Sequence, residues 1–484
     1  SGQKEEFLTP GSEVKMYVCG VTPYSDCHIG HAMSYIIFDA IRRYLEFQGY
    51  KMRHVQNFTD IDDKIINRAN SLGISARELA DKYIAQYFTS MDSLNIQRAH
   101  VYPYATQEIP QIIEIVQGLL KKDYAYQVDG DVYFRVTKRA DYGKLSRRSL
   151  DEMVAGARVE PNSGKEHPMD FALWKASKPG EPSWPSPWGP GRPGWHIECS
   201  AMSYRYLGET LDIHGGGQDL IFPHHENEIA QSESFTGKPF VRFWIHNGLL
   251  QMGEEKMSKS LGNLVTVEEI LQKFSPDALR LFVLSSHYRG PLTFSESGLV
   301  AAERGMDRLR IALEGGEPGG DSTLESEYHK RFTEAMDDDF NSAQALGVLF
   351  DMAREINRRK DQGGGVKQMQ GKLLQLASVL GLTLKKLEKT VDAQSLTDFL
   401  VEIKAKVTNI DPKLSLKVFS IVGSPVETFP QTGADIIIES LINLRMKLRE
   451  AKQFALADEI RSGLAKRGIT LEDTPQRTVP RYKG

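Results

Sequence analysis

One stretch, Val14 to Ser71, restricts the fold of this 484-residue chain more than any other. Val14–Cys19 is an apolar, β-prone run followed by a glycine-containing turn. Ile37, Ala40, Ile41, Tyr44 and Leu45 then recur at helical spacing from Ser34 until Gly49 ends the pattern. Lys51–Phe58 reads as a second strand, and Asp60–Ser71 as a helix capped by Thr59 or Asp60. Such alternation predicts an α/β chain built on a parallel, doubly wound sheet, with ligands at the C-terminal ends of the strands.

The alternation stops at Ala99 and resumes at Trp195, running to about Gly248. Between them Ile109–Lys121 reads as a helix, Tyr126–Val136 as a hairpin around Asp129-Gly130, and Lys178–Gly194 as a Pro/Trp/Gly-rich run. We therefore expect a catalytic sheet in two halves, 12–98 and 194–249, with a connective insertion over 99–193. Residues 250–314 follow as one region, then a Gly/Pro-rich linker at Gly315–Ser322. A helical bundle is expected over 323–394, broken by a loop at Asp361–Gly365, and a small C-terminal α/β domain over 395–484. The latter includes amphipathic, Arg/Lys-rich helix within Ile436–Gly468 and a strand at Ile469–Leu471; Ser395–Gly433 follows no pattern.

Charge and cysteine usage narrow the class of function. The formal net charge is −4, so any RNA contact must come from local basic patches. Three cysteines, Cys19, Cys27 and Cys199, are too few for a disulfide framework and fit a reducing compartment. Ser1–Val14 is polar, so no secretory signal is expected, and no run of about 18 apolar residues suggests a membrane span. The expectation is a cytoplasmic protein acting as a monomer.

Two motifs carry phosphate chemistry. His28-Ile-Gly-His31 puts two imidazoles around a glycine after the first strand, and Lys256-Met-Ser-Lys-Ser260 offers two ammonium groups. Together they can surround a triphosphate with positive donors, while Gly30 lets a base or ribose approach the backbone. Cys19, Cys199, His224 and Glu228 make a zinc shell by type, with His224 and Glu228 on one helical face after Pro223. Buried cysteines and an exposed His–Glu helix pair would explain the same residues without a metal. Likewise Asp62 and Asp63 fit an acidic first helical turn better than a catalytic role.

Taken in order, Met16-Tyr-Val-Cys-Gly20, His28-Ile-Gly-His31, Asn57-Phe-Thr-Asp-Ile-Asp-Asp-Lys64, Gly194-Trp-His-Ile-Glu-Cys-Ser200, His214-Gly-Gly-Gly217, Phe222-Pro-His-His-Glu-Asn-Glu228 and Lys256-Met-Ser-Lys-Ser260 resemble the cysteinyl-tRNA synthetases, a class I aminoacyl-tRNA synthetase family. Phe454-Ala-Leu-Ala-Asp-Glu-Ile-Arg461 and Gly468–Gln476 extend the resemblance to the C-terminal end. It implies a Rossmann-like catalytic core, a stem-contact region after it, a helical bundle and an anticodon-binding domain. It also implies activation of L-cysteine with ATP, transfer to tRNA(Cys), and one Zn²⁺ held by Cys19, Cys199, His224 and Glu228 to select the substrate thiolate. Mg²⁺ is expected with ATP. By the same resemblance His28, His31, Lys256 and Lys259 are catalytic. Gly30 and Asp219 join these four in binding ATP, with Asp219 on a ribose hydroxyl, while Thr59 and Trp195 join Cys19 around the amino acid. The family's usual Arg near Met33 and Gly near Arg477 are missing here. Two alternatives stay open: a ligase joining cysteine to a sugar amine, as in mycothiol synthesis, and a catalytically dead RNA-binding paralogue.

Overall fold

The protein is described by a computed structural model covering residues 3–155, 164–252, 255–256, 264–385, 393–410, 433–473 and 478–482. The chain divides into two compact units, Ser1–Leu384 and Lys385–Gly484.

The first unit opens with β1 (Glu13–Val21), α1 (Ile29–Phe47), β2 (Lys51–Phe58), α2 (Asp63–Leu72) and α3 (Ala76–Ser93). An insertion follows: α4 (Ile109–Lys121), β3 (Ala125–Val128), β4 (Asp131–Phe134), α5 (Leu150–Ala155), β5 (Phe171–Ala176) and β6 (Gly191–Pro193). The first pattern then resumes with α6 (Trp195–Leu207), β7 (Leu211–Gly217), α7 (Glu226–Thr236) and β8 (Val241–Asn247). The main sheet has the order β2-β1-β7-β8, and every neighbouring pair is parallel. The chain steps from β1 to β2 on one side and later returns to the other side of β1. A topological switch point therefore lies between β1 and β7, where an open parallel sheet leaves a crevice for ligands. The insertion forms a separate antiparallel sheet, β3-β4-β5-β6. Asp129 and Gly130 turn its first hairpin with φ of 48° and 89°, as a tight two-residue turn requires.

Three helix starts differ from the sequence reading, each because of a cap. α1 begins at Ile29, upstream of Ser34, because His28 caps it: Nδ1 of His28 accepts from the backbone N–H of His31 at 3.4 Å. α2 begins at Asp63 because Asp62, not Thr59 or Asp60, accepts the Lys64 N–H at 2.8 Å. Asp60 instead takes the Thr106 N–H and hydroxyl at 3.0 and 2.5 Å, fastening β2's end to the insertion. α3 has no counterpart in the sequence reading, although Ser75, its cap, accepts from Glu78 N–H at 3.1 Å.

Beyond β8 come β9 (Leu250–Met252), β10 (Glu255–Lys256), α8 (Val267–Leu271), α9 (Pro276–Leu284), β11 (Leu292–Phe294) and α10 (Glu296–Leu313). Three longer helices, α11 (Ser322–Asp337), α12 (Ser342–Asp361) and α13 (Lys367–Val379), complete the unit. α1 is buried on most of its surface and shares one core with α9 to α13. Gly215 on β7 exists because α1 lies against it: a Cβ there would sit 2.2 Å from Phe38. The second unit holds α14 (Ala393–Ile410), α15 (Gly433–Glu450), α16 (Phe454–Lys466), β12 (Ile469–Asp473) and β13 (Thr478–Tyr482), the two strands antiparallel. α14 thus occupies the start of the patternless stretch, and 411–432 lie outside the described residues.

Arg280 of α9 is wholly buried and spends its donors across the first unit. It reaches Asp39 of α1 at 2.6 Å, the Leu94 carbonyl after α3 at 3.0 Å and the Leu380 carbonyl after α13 at 2.9 Å. Removing one partner of a buried ion pair strands the other charge. Asp39→Ala is expected to lower the unfolding free energy by about 3–5 kcal/mol, read from urea denaturation. His54 on β2 is a separate test: burial, with Arg42 and His100 nearby, lowers its pKa to about 3. The unfolded chain takes up this proton near pH 6.5 and the folded chain does not. Its contribution is therefore present above pH 6.5 and drains as pH falls toward 3, by at most about 1.4 kcal/mol per pH unit. In His54→Leu, urea midpoints between pH 7.5 and 4.5 should fall less steeply than in the parent.

Candidate functional site

Four elements meet at the switch point between β1 and β7, and each contributes a donor. Cys19 lies in β1, Cys199 in α6, His224 in the irregular turn after β7, and Glu228 in the first turn of α7. The turn over Ile221–His225 is not a plain helix start, since Phe222 takes φ −137° and ψ 130°. It still brings His224 and Glu228 to the same side, with His224 Nε2 3.1 Å from Glu228 Oε1. One sulfur from each cysteine, a ring nitrogen of His224 and an oxygen of Glu228 all lie within 4.8 Å of one another, and all four residues are buried.

A second buried group shares two of these members: Cys19, His214, His225 and Glu228. Glu228 is its hinge. Oε2 lies 2.9 Å from His214 Nε2, while Oε1 faces His224 and the Cys19 thiol. His225 Nε2 sits 3.3 Å from Cys19 Sγ, and its Nδ1 lies 2.8 Å from His246 Nε2 on β8. His196 supports His224 from behind, with the two Nδ1 atoms 3.0 Å apart. None of His196, His214, His225 and His246 stands out as a site residue from sequence. The His214-Gly-Gly-Gly run and the doubled His224-His225 are visible signals, whereas His246 becomes a neighbour only through the β7–β8 pairing.

The protonation pattern follows from crowding acids in a buried space. Burial raises the Cys19 thiol, and Cys199 beside it raises it further. The hydrogen bond from Cys19 outweighs burial at Cys199 and lowers that thiol to about 6. Burial alone would raise Glu228, yet His214 and His224 bring it down to about 2. Burial would lower His224, but Glu228 and Cys199 raise it to about 10. Sulfur, nitrogen and oxygen donors with surplus negative charge in a closed space suit a borderline divalent ion that shares that charge. The cluster can hold a metal.

The phosphate motif has a different character. His28 and His31 stack at the N-terminus of α1 with ring centroids 3.7 Å apart, and Gly30 lies between them in the first turn. Burial lowers His28 to about 4, and burial together with His28 holds His31 well below the usual imidazole range. Burial thus disfavours the charged form of both rings, and the positive end of α1 lies beside them.

Residues 7–304 match the model of the tRNA synthetases class I (C) catalytic domain, and residues 331–385 that of the DALR domain. A cysteine–tRNA ligase of Dehalococcoides mccartyi is 55% identical over 490 residues, covering 100% of this chain and 98% of the relative. One from Geobacter metallireducens is 47% identical over 506 residues, with 100% and 98% covered. The chain belongs to the cysteine–tRNA ligase family. A Mycobacterium tuberculosis methionyl-tRNA synthetase in complex with methionyl-adenylate shares the fold at TM-score 0.56, with 16% identity over 86% of this chain and 94% of that one.

The other residues singled out as a cysteine–tRNA ligase site are spread around the strand ends. Thr59 is buried just past β2 and accepts from Asn57 Nδ2 at 3.3 Å. Trp195 opens α6, remains 40% exposed and packs its ring 4.3 Å from that of His224. Asp219 is exposed in the turn after β7. The backbone of Lys256 lies in β10, paired with Gln251 of β9, and Lys259 lies outside the described residues. Of the carboxylates after Thr59, Asp62 is a helix cap and Asp63 pairs with Lys175 at 3.1 Å and with Arg192. Among the described residues, no helix is long and apolar enough to cross a membrane.

Cobalt(II) reports sulfur ligation directly. Protein stripped with chelator and loaded with cobalt(II) is expected to show thiolate-to-metal charge-transfer absorption, and Cys19→Ser with Cys199→Ser to abolish it. Persistence of that absorption in the double variant would remove both cysteines from the donor set.

Proposed function

We propose that the chain activates L-cysteine with ATP and transfers it to the 3′ end of tRNA(Cys), with the Cys19–Cys199–His224–Glu228 cluster holding Zn²⁺. The observation that carries this reading is the buried sulfur-rich cluster at the switch point, in a chain aligned end to end with cysteine–tRNA ligases. A pocket that excludes by shape separates cysteine from serine poorly, because thiol and hydroxyl are nearly isosteric. Zinc in this shell would supply a soft Lewis acid that prefers sulfur and favours the substrate as thiolate.

The substrate carboxylate attacks the α-phosphorus of ATP and pyrophosphate leaves. A ribose hydroxyl at the tRNA 3′ end then attacks the adenylate carbonyl and AMP leaves. His28 and His31, as neutral N–H donors at the start of α1, hold the phosphates, with Gly30 keeping the backbone open to the nucleoside. The positive charge then falls to Lys256 and Lys259, which close over the β- and γ-phosphates and stabilise the leaving pyrophosphate. Mg²⁺ accompanies ATP. Asp219 accepts from a ribose hydroxyl, and Thr59 and Trp195 line the cysteine pocket beside Cys19. All three cysteines are free thiols, which suits the reducing cytoplasm.

Two measurements test this reading together. The chain is expected to support cysteine-dependent ATP–pyrophosphate exchange and to charge tRNA(Cys) with labelled cysteine. Exchange without charging would point to a small-amine acceptor, and neither activity in zinc-replete protein to a binding-only paralogue. Lys259→Ala should lower the kcat of exchange by about 10²-fold or more with little change in the KM for cysteine. A large rise in KM at normal kcat would contradict its role.

A further inference from the structure

Tyr17 stands on β1 two residues before Cys19, so both side chains leave the same face of the sheet. Its partners across the sheet are Val55 on β2 and His214 on β7. The side chain is wholly buried in a core shared with Cys19, Cys199, Met202, Leu211 and Ile229. Its ring centroid lies 5.1 Å from that of His214. A ring without a hydroxyl would suit these apolar walls better, because an unpaired buried hydroxyl is destabilising. Among the described residues no oxygen or nitrogen accepts from it.

The polar groups that face the hydroxyl belong to the metal cluster. After burial itself, Cys199 of α6 acts on it most strongly, followed by Cys19 and Glu228. All of these raise its pKa well above the usual phenol range, so the hydroxyl keeps its proton and is a donor. Of the three, only the Cys199 sulfur is placed to accept that proton in a hydrogen bond. The O–H rotates about its C–O bond, so no backbone movement is needed to aim it there.

A donor in this place has a consequence for a bound cation. Cys19, Cys199 and Glu228 together offer three anionic donors to one divalent ion, which leaves little positive charge for a further anion. A hydrogen bond to one ligating thiolate draws charge back from that sulfur, and the metal stays more electrophilic. We propose that the Tyr17 hydroxyl donates to the Cys199 thiolate when a metal is held there, and so tunes that metal to accept the thiolate of the amino-acid substrate. This rests on the reading that the cluster holds Zn²⁺ and that the metal takes the substrate sulfur. Tyr17 is a positioning residue: it acts through Cys199 and touches no substrate.

Cobalt(II) in place of zinc reads the bond directly. Chelator-stripped parent, Tyr17→Phe, Cys199→Ser and the double variant are loaded with cobalt(II), and the thiolate-to-metal charge-transfer band is recorded. Losing an O–H···S bond raises the energy of the sulfur lone pair, so Tyr17→Phe should move the band to longer wavelength. In the Cys199→Ser background the remaining band, from Cys19, should stay in place when Tyr17→Phe is added. Titration with L-cysteine, followed by the growth of the same band, should show binding about tenfold weaker in Tyr17→Phe than in the parent. A packing role alone would lower the urea midpoint of Tyr17→Phe and leave the band where it is. An unmoved band in Tyr17→Phe would overturn the proposal, as would an equal shift with and without Cys199. Where Cys199→Ser takes up no cobalt, the band position in Tyr17→Phe decides alone. A parent with no charge-transfer band would overturn this proposal and the metal assignment together. A parent whose band ignores added L-cysteine would overturn only the function reading, since the shift in Tyr17→Phe still judges the hydrogen bond.

Discussion

Arg280 has to be satisfied in full for the first unit to form. A guanidinium withdrawn from water costs several kcal/mol, and only complete hydrogen bonding offsets that. Its partners come from α1, the turn after α3 and the turn after α13, so burying this one side chain specifies how three parts of the chain meet. Gly381 shows how close the fit is: with φ 70°, it leaves the space where a Cβ would lie 2.0 Å from Arg280 Nη2. Asp39 completes the junction by accepting also from Arg43 and from the backbone of Gln97, each at 2.8 Å. Because His28 and His31 stand at the start of α1, the junction also fixes the place of the signature imidazoles.

The two halves of the site use opposite electrostatics. At the strand ends near β1 and β7, acidic donors are crowded until one thiol is pulled down and its neighbour pushed up. Such an arrangement is costly unless a cation enters, so the cluster could hold a metal. At the start of α1, burial removes charge from both imidazoles, leaving directional N–H groups and the helix end.

The periodicity of Val14–Phe58 is enough to predict the parallel sheet, because β1, an apolar strand, and β2, a more polar one, are both largely buried on either side of one helix in the chain. Ile109–Lys121 and the Asp129-Gly130 hairpin are equally readable, since a helix with a proline start and a two-residue turn are local events. Helix starts are less so. Whether Asp60 or Asp62 caps α2 depends on Thr106, a residue far along the chain that claims the Asp60 carboxylate.

The sequence by itself determined the chemistry available: two thiols, the His224–Glu228 pair, the phosphate motif and the order in which they occur. Side-chain type and short-range spacing are written directly in the chain. Only the tertiary structure decided which donors share a space, because that depends on the crossover placing β7 beside β1 and on β8 bringing His246 to His225. It also decided the charge each group carries. The same imidazole side chain is held near 4 at His28 and raised to about 10 at His224, since burial and neighbouring carboxylates, not residue type, set the balance.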